Sequence, residues 1–308
     1  MARRALVDAD VIIVGGGPAG LSAALVLARA CRSVIVFDHV HPRNASAAAL
    51  HGYLTRDGIS PHDFRALARE ELRRYDDVRL IDLEVTDAAC EDTDFVVRAI
   101  DGTRYTSRKL LLATGVVDHV PDVPGLRELY GKSVFHCPYC DGFELRGQPI
   151  AVYGKGEKGC GLALELTAWT ADLVLVTDGP GEFDEKTLKR LEKHNIPFRE
   201  EKIARLEGTD GCLQRIVFEN GERLERRAMF FTTGQTQRSH LAETLGCPFN
   251  EKGTVRTGPY ETTHLRGLYV AGDASRAVQW VVVAAAEGAE AAYSINQDLI
   301  TETLAAPL

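Results

Sequence analysis

The sequence predicts an α/β protein built from two Rossmann-like, three-layer units in one chain. Three observations carry that prediction. Asp10-Val11-Ile12-Ile13-Val14 is an apolar run of strand length that ends in Gly15-Gly16-Gly17-Pro18-Ala19-Gly20, followed by an apolar helical stretch from Leu21 to Ala30 and a strand from Ser33 to Phe37. The same order returns later, with a strand Ile150–Tyr153, the loop Gly154-Lys155-Gly156-Glu157-Lys158-Gly159, a helix over Cys160–Trp169 and a strand Leu173–Val176. Further apolar runs end in glycine at Ala113-Thr114-Gly115, Thr232-Thr233-Gly234 and Ala271-Gly272-Asp273. Strand, glycine loop and helix repeated in this way build parallel sheets covered by helices.

Composition narrows the class. A chain of 308 residues has room for two domains, and 45% hydrophobic with 26% charged residues is ordinary globular usage. The net charge of −8 leaves no basic footprint for nucleic acid or an anionic membrane. No apolar run reaches the length of a membrane span. The start Met1-Ala2-Arg3-Arg4 is basic, but the apolar segment behind it is interrupted by Asp8 and Asp10 and runs into the glycine motif, so it does not read as a signal peptide. Of seven cysteines only Cys137 and Cys140 are closely spaced. Cys31, Cys90, Cys160, Cys212 and Cys247 are scattered, which suits buried free thiols in a reducing, cytoplasmic setting.

The first glycine motif has chemistry attached to its spacing. Gly15, Gly17 and Gly20 stand at GxGxxG positions: the first for the turn, the second for close approach to a pyrophosphate, the third for helix-on-strand packing. Asp38, about 20 residues on, is placed to hold a ribose hydroxyl. The polar stretch with His41-Pro42-Arg43-Asn44 and His51-Gly52-Tyr53 reads as loop of the kind that lines a cofactor crevice. A helix is expected over Pro61–Arg74. Strands follow near Val78–Val85, Phe95–Ile100 and Lys109–Leu112, with Asp101-Gly102 as a hairpin turn. Val120-Pro121-Asp122-Val123-Pro124-Gly125 is a linker. Later come a helix over Asp184–His194, a small β-meander to Arg226, and a long apolar helix from about Val278 to Leu299. Gly272-Asp273 closes a strand before that helix; its acid reads either as a ribityl ligand near a pyrophosphate or as a helix cap.

His136-Cys137-Pro138-Tyr139-Cys140-Asp141-Gly142 is the chemical centre of the chain. Two cysteines at this spacing close a small disulfide ring and exchange two electrons and two protons with another dithiol. One thiol of such a pair commonly has a lowered pKa. Pro138 suits the first turn of a helix, whose N-terminus stabilises a thiolate. Asp141 is placed to move a proton during the exchange. Half of a zinc site is the bland alternative, but no second Cys-x-x-Cys or Cys-x-x-His completes one, and no metal is expected.

GGGPAG, ATG at 113–115 and AGDA at 271–274, with CPYCDG between them, resemble the low-molecular-weight thioredoxin reductase superfamily over nearly the whole chain. The resemblance implies an FAD domain on residues 1–117 and 246–308, interrupted by an inserted nucleotide-type domain, 118–245, that carries the dithiol. It implies a homodimer. It also implies FAD contacts from Gly15, Gly17, Pro18, Ala19, Gly20, Asp38, Ala113, Gly115, Gly272 and Asp273, with Cys140 facing the flavin, Cys137 attacking the substrate and Asp141 as the neighbouring acid.

The departures matter as much. Where the reductases grip the NADPH 2′-phosphate with basic residues, this chain reads Thr177-Asp178-Gly179-Pro180-Gly181-Glu182, and two carboxylates there would repel a phosphate. Lys186 and Lys189 on the following helix are the nearest cations in sequence. Gln279-Trp280 replaces the Arg-Gln pair expected on the final helix, and the PRN and HGY segments also differ. These features resemble a branch that closes disulfides in natural products such as gliotoxin, holomycin and romidepsin. For that branch the resemblance implies FAD, a small-molecule dithiol as substrate, and molecular oxygen as acceptor with hydrogen peroxide formed. It places the histidine equivalent to His51 near the cofactor; Arg43 and Asn44 are assigned there from their crevice-lining loop, and His136, next to Cys137, reads either as a base for a substrate thiol or as a packing residue. The alternatives are a disulfide reductase fed by NADPH or another donor, and a non-catalytic FAD-binding redox sensor.

Overall fold

The computed structural model describes residues 7–305, so the basic start Met1–Arg4 lies outside the described residues. In chain order, β1 (Ala9–Val14), α1 (Pro18–Arg29) and β2 (Val34–Phe37) make the first βαβ step. Next come α2 (Pro61–Leu72), β3 (Val78–Ile81), β4 (Val85–Glu91), β5 (Asp94–Ala99), β6 (Arg104–Leu112) and β7 (Val116–Asp118). The second stretch holds α3 (Leu126–Leu129), β8 (Val134–Phe135), α4 (Pro138–Asp141), β9 (Ile150–Tyr153), α5 (Gly156–Leu166), β10 (Leu173–Val176) and α6 (Glu185–Lys193). It continues with β11 (Phe198–Arg199), β12 (Ile203–Thr209), β13 (Cys212–Phe218), β14 (Arg223–Glu225) and β15 (Ala228–Phe231). The chain ends with β16 (Gln235–Gln237), α7 (Leu241–Thr244), β17 (Leu268–Val270) and α8 (Val281–Leu304).

These elements form two compact units. The first comprises residues 1–45, 61–117 and 235–308; the second comprises 46–60 and 118–234. Two segments fall on the other side of the boundaries expected from sequence. Residues 46–60 belong with the second unit, where the Ser46 carbonyl packs so closely on Gly131 that a Cβ there would lie 2.4 Å from it. Residues 235–245 belong with the first. There the Arg238 N–H donates to the Gly115 carbonyl (3.1 Å) and the Gln237 side-chain amide to the Ala274 carbonyl (2.9 Å).

In the first unit the sheet runs β3-β2-β1-β6, with β17 also paired to β6; these strands are parallel, while β5 and β4 extend the sheet antiparallel. Strand β6 serves both pieces: Arg104–Ser107 pairs with β5, and Leu110–Leu112 with β1 and β17. Side chains alternate across β1, as a strand requires. Val11 and Ile13 pack in a core with Leu27 of α1 and Ile295 of α8, while Ile12 and Val14 face a core with Val97 and Leu241.

The second unit repeats the plan with a five-stranded parallel sheet, β11-β10-β9-β15-β8. Val152, Leu175 and Phe230 pack toward Leu166 of α5 and Leu191 of α6. Ala151, Val176 and Met229 pack toward the meander β12-β13-β14 through Leu206, Leu213 and Phe218. The two α/β units predicted from the glycine motifs are therefore present.

Helix starts differ from expectation. Helix α1 begins at Pro18 and α5 at Gly156, where expectation put the starts at Leu21 and Cys160. Both first turns are built from glycine, proline and polar residues that carry little helical periodicity of their own. Asp184 caps α6, accepting the Thr187 N–H at 2.7 Å. The expected burial of the scattered cysteines holds for Cys160 and Cys247; Cys31, Cys90 and Cys212 are exposed. Among the described residues, no helix is long and apolar enough to cross a membrane.

Candidate active site

Each glycine after β1 has its own reason to be there. Gly15 has φ +119°, and a Cβ on it would lie 2.1 Å from the Ala113 carbonyl oxygen at the end of β6. A Cβ on Gly20 would lie 1.9 Å from the Gly15 carbonyl. A Cβ on Gly17 would meet nothing within 4 Å. Packing therefore demands the first and third glycines, while the second borders open space at the N-terminus of α1. There Gly17 is the N-cap, Pro18 stands in the first turn, and no acid is present. Open room before unpaired helix amides suits a pyrophosphate.

Around this cradle the first unit gathers several predicted residues. Asp38 closes β2 and is 5% exposed. Its Oδ1 accepts the Val40 N–H (2.9 Å), and its Oδ2 accepts Arg65 and Arg69 of α2. The arginines, one helical turn apart, were not foreseen; their spacing on α2 was the available signal. Ala113 and Gly115 sit at the end of β6. Asn44 is half-buried in the turn after Pro42. Arg43 donates to Asp273 (2.8 Å), to the Gln279 side chain (2.7 Å) and to Gln235 (3.3 Å), which binds the loop after β2 to the Gly272-Asp273 turn. Gly272 packs on Ala19, and its N–H donates to Glu287 of α8 at 2.8 Å. Arg276 bridges Glu287 and the fully buried Glu261. Glu287 was also missed; an acid on the buried face of an apolar helix was the clue.

In the second unit Cys137 and Cys140 form a disulfide. Cys137 is the N-cap of α4 and Pro138 its first residue, as the spacing predicted. Gly142 lets this short helix lie against Trp169, since a Cβ there would come within 2.5 Å of the Pro138 carbonyl and 3.0 Å of the indole. Tyr139 is exposed and meets Trp169 edge-on, ring centres 5.3 Å apart.

Titratable groups flank the disulfide on both chain sides. Before it, the His136 Nδ1 lies 3.1 Å from the Tyr130 hydroxyl, and its Nε2 lies 3.8 Å from Asp118 Oδ2. After it, Asp141 is half-buried, and His51 joins this side: its Nδ1 is 3.4 Å from Asp57 and its Nε2 3.8 Å from Glu144. His51, expected near the cofactor, thus stands among acids of the unit that carries the dithiol. Burial pushes the Asp141 carboxyl up to about 7; the charge of His51 opposes this, and Glu144 adds to it.

That value sets an expected pH dependence. Because the folded value of about 7 lies above the ordinary 3.8, the contribution of Asp141 to stability is fully present below about pH 4 and is lost as pH rises through 7. Asp141→Asn should therefore melt higher than wild type above pH 7, read by thermal unfolding across pH. It should also slow reduction of the disulfide by dithiothreitol about 10²-fold and erase the inflection near pH 7. An unchanged inflection would assign that proton to another group.

A glycine cradle of this kind and a closed Cys-x-x-Cys pair among proton-handling side chains define a flavin-dependent thiol–disulfide oxidoreductase. The family model for pyridine nucleotide-disulphide oxidoreductases matches residues 9–288. The thioredoxin reductase tcpT of Claviceps purpurea is 36% identical over 281 residues, 86% of each chain. The thioredoxin reductase aclD of Aspergillus oryzae is 32% identical over 94% of this chain and 96% of its own. Among solved structures, HlmI superposes with a TM-score of 0.92 at 34% identity, covering 96% of this chain and 94% of that one. A putative thioredoxin reductase TrxB from Bacillus anthracis gives 0.90 at 34% identity, covering 96% and 99%. The chain belongs to the pyridine nucleotide-disulphide oxidoreductase family, in its thioredoxin reductase-like group, and its cofactor is FAD.

Proposed function

We propose that the protein is a dithiol oxidase that closes a disulfide within a small natural-product dithiol and passes the electrons to molecular oxygen. In this reading the first-unit cradle holds FAD through Gly15, Gly17, Pro18, Ala19 and Gly20, with Asp38 toward the ribose. Arg43, Asn44, Ala113, Gly115, Gly272 and Asp273 complete the surroundings within the first unit. Bound FAD supplies a two-electron acceptor that dioxygen reoxidises with formation of hydrogen peroxide.

The chain's own part is thiol chemistry. A substrate thiol gives up its proton and attacks the Cys137 sulfur; the Cys137–Cys140 bond breaks, and its electron pair leaves on Cys140. The second substrate thiol attacks the first substrate sulfur, and Cys137 departs as a thiolate. The product is a cyclic disulfide, and both enzyme sulfurs are reduced. His136 and Asp141 handle the two protons, one beside each cysteine.

The observation that supports this reading over a nucleotide-fed reductase is the loop after β10. Helix α5 begins where a pyridine nucleotide's pyrophosphate would rest, yet its first N–H, Gly156, donates to the chain's own Gly181 carbonyl at 2.8 Å. Asp178 is fixed at the end of β10 by the Ile203 N–H (2.8 Å) and the Tyr153 hydroxyl (3.3 Å). Glu182 takes Lys155 of the glycine loop at 3.5 Å. The second reading, a reductase using NADPH or another donor, draws on two cations: a Cβ on Gly179 would lie 3.4 Å from the Lys202 amine and 4.0 Å from that of Lys155.

An oxygen electrode separates the readings. With dithiothreitol and no nucleotide, the enzyme should consume one oxygen and release one peroxide per dithiol oxidised. A reductase would consume oxygen only when a nucleotide or protein donor is added, and a redox sensor would not turn over.

A further inference from the structure

We propose that Asp118 and Tyr130 are positioning residues that hold the His136 imidazole as the proton carrier for Cys137; this rests on the dithiol chemistry proposed above. His136 follows β8 directly and precedes the cysteine. The Tyr130 hydroxyl lies 3.1 Å from His136 Nδ1 and 3.5 Å from Asp118 Oδ2, and the same carboxylate oxygen is 3.8 Å from His136 Nε2. One hydroxyl thus bridges an imidazole and a carboxylate that also approach each other. The side chain of Asp118 is 8% exposed, whereas that of His136 is 33% exposed. The acid is withdrawn from water while the ring that faces it remains reachable from solvent. Phe231 of β15 packs on both rings, with centres 5.7 Å from Tyr130 and 6.1 Å from His136, which limits how either ring can turn. Asp118 and Tyr130 are titratable groups that meet the imidazole, and Phe231 packs against its face.

The chemistry follows from the charges. A carboxylate taken out of water is costly unless donors or a cation face it, and a neighbouring carboxylate favours an imidazolium over an imidazole. When neutral His136 accepts the proton of an incoming substrate thiol, the new positive charge forms beside Asp118. The thiolate left behind attacks Cys137, and Cys140 takes the electron pair of the broken disulfide. When Cys137 later leaves the mixed disulfide as a thiolate, the imidazolium returns the proton to it. One proton enters and leaves through His136, and no further oxidant or base is needed for that half of the exchange. Tyr130, bonding to Nδ1, fixes which ring edge meets the acid.

The test uses the holoenzyme without oxygen. Dithiothreitol, whose thiols are protonated at neutral pH, is mixed with enzyme, and the reaction is quenched with iodoacetamide at set times. Reduced Cys137 and Cys140 are then counted by mass spectrometry from pH 6 to 10. Asp118→Asn should slow reduction about 10- to 100-fold at pH 7, and the deficit should close as rising pH supplies thiolate from solution. Tyr130→Phe should show the same trend at a few-fold, and it carries the test should Asp118→Asn fail to fold. A deficit that stays constant with pH, or variants that match wild type at pH 7, would overturn the positioning role while leaving the oxidase reading intact. A wild-type pair that dithiothreitol does not reduce would overturn the proposed function and this inference with it.

Discussion

Cys140→Ser enzyme should lose turnover by about 10⁴-fold or more and, offered the disulfide form of a substrate, hold half of it as a mixed disulfide on Cys137, whereas Cys137→Ser should lose turnover equally and hold no adduct. Both cysteines are half-buried, so exposure does not rank them. Their neighbours do. His136, with Asp118 and Tyr130 behind it, stands beside Cys137, and Asp141, whose carboxyl is held near 7, stands beside Cys140. The first cysteine therefore has the group suited to relieve an incoming thiol of its proton. Without Cys140 the lone Cys137 thiolate attacks the symmetric disulfide of a substrate with one thiol blocked, one half leaves as a thiolate, and the half left on Cys137 meets no internal thiol to release it. Mass spectrometry of Cys140→Ser treated with that disulfide should find one adduct on the Cys137 peptide. An adduct on Cys140 in the Cys137→Ser enzyme would reverse the assignment.

Gly17→Val should yield a folded protein without FAD. A Cβ added at Gly17 meets no protein atom within 4 Å, and the residue's φ of −84° suits any amino acid, so the fold tolerates it. A pyrophosphate at the α1 N-terminus would meet the added side chain directly. Two charged hydrogen bonds lost at about 1.5–3 kcal/mol each imply an affinity drop of two orders of magnitude or more. Gly15→Ala is the contrast: its φ of +119° and the Ala113 carbonyl at 2.1 Å make the substitution a defect of folding. The readouts are the flavin-to-protein absorbance ratio and the melting temperature of flavin-free protein. A yellow Gly17→Val protein with full flavin would refute the placement of FAD on this loop.

Much of the fold was legible because its signals are local. GGGPAG lies between two buried strands, and CPYC carries its own helix start in Pro138. What stayed hidden depends on residues that meet only through the fold. Nothing near Asp38 in sequence announces Arg65 and Arg69, which reach it from α2. Asp118 and Tyr130 are 18 and 6 positions from His136, at the end of β7 and just after α3, with no motif of their own. Residues 46–60 carry no strand or helix period, so nothing signalled that they fold with the second unit. The acids Asp178 and Glu182 were visible as a departure. That the loop between them turns back onto the first amide of α5 required the structure.

Electrons should enter from a dithiol and not from a pyridine nucleotide, and anaerobic titration of the oxidised flavoprotein decides between the two donors. A 2′-phosphate brings nearly two negative charges to a loop that carries Asp178 and Glu182, where Gly156 has already given its N–H to the Gly181 carbonyl. One missing arginine contact costs about 1.5–3 kcal/mol, and repulsion at about 4 Å adds on the order of 1 kcal/mol even in water. An equivalent of dithiothreitol should bleach the flavin, admitting air should restore its colour, and NADPH at the same concentration should leave the spectrum unchanged. Rapid, stoichiometric bleaching by NADPH would contradict the oxidase reading and make the protein a reductase.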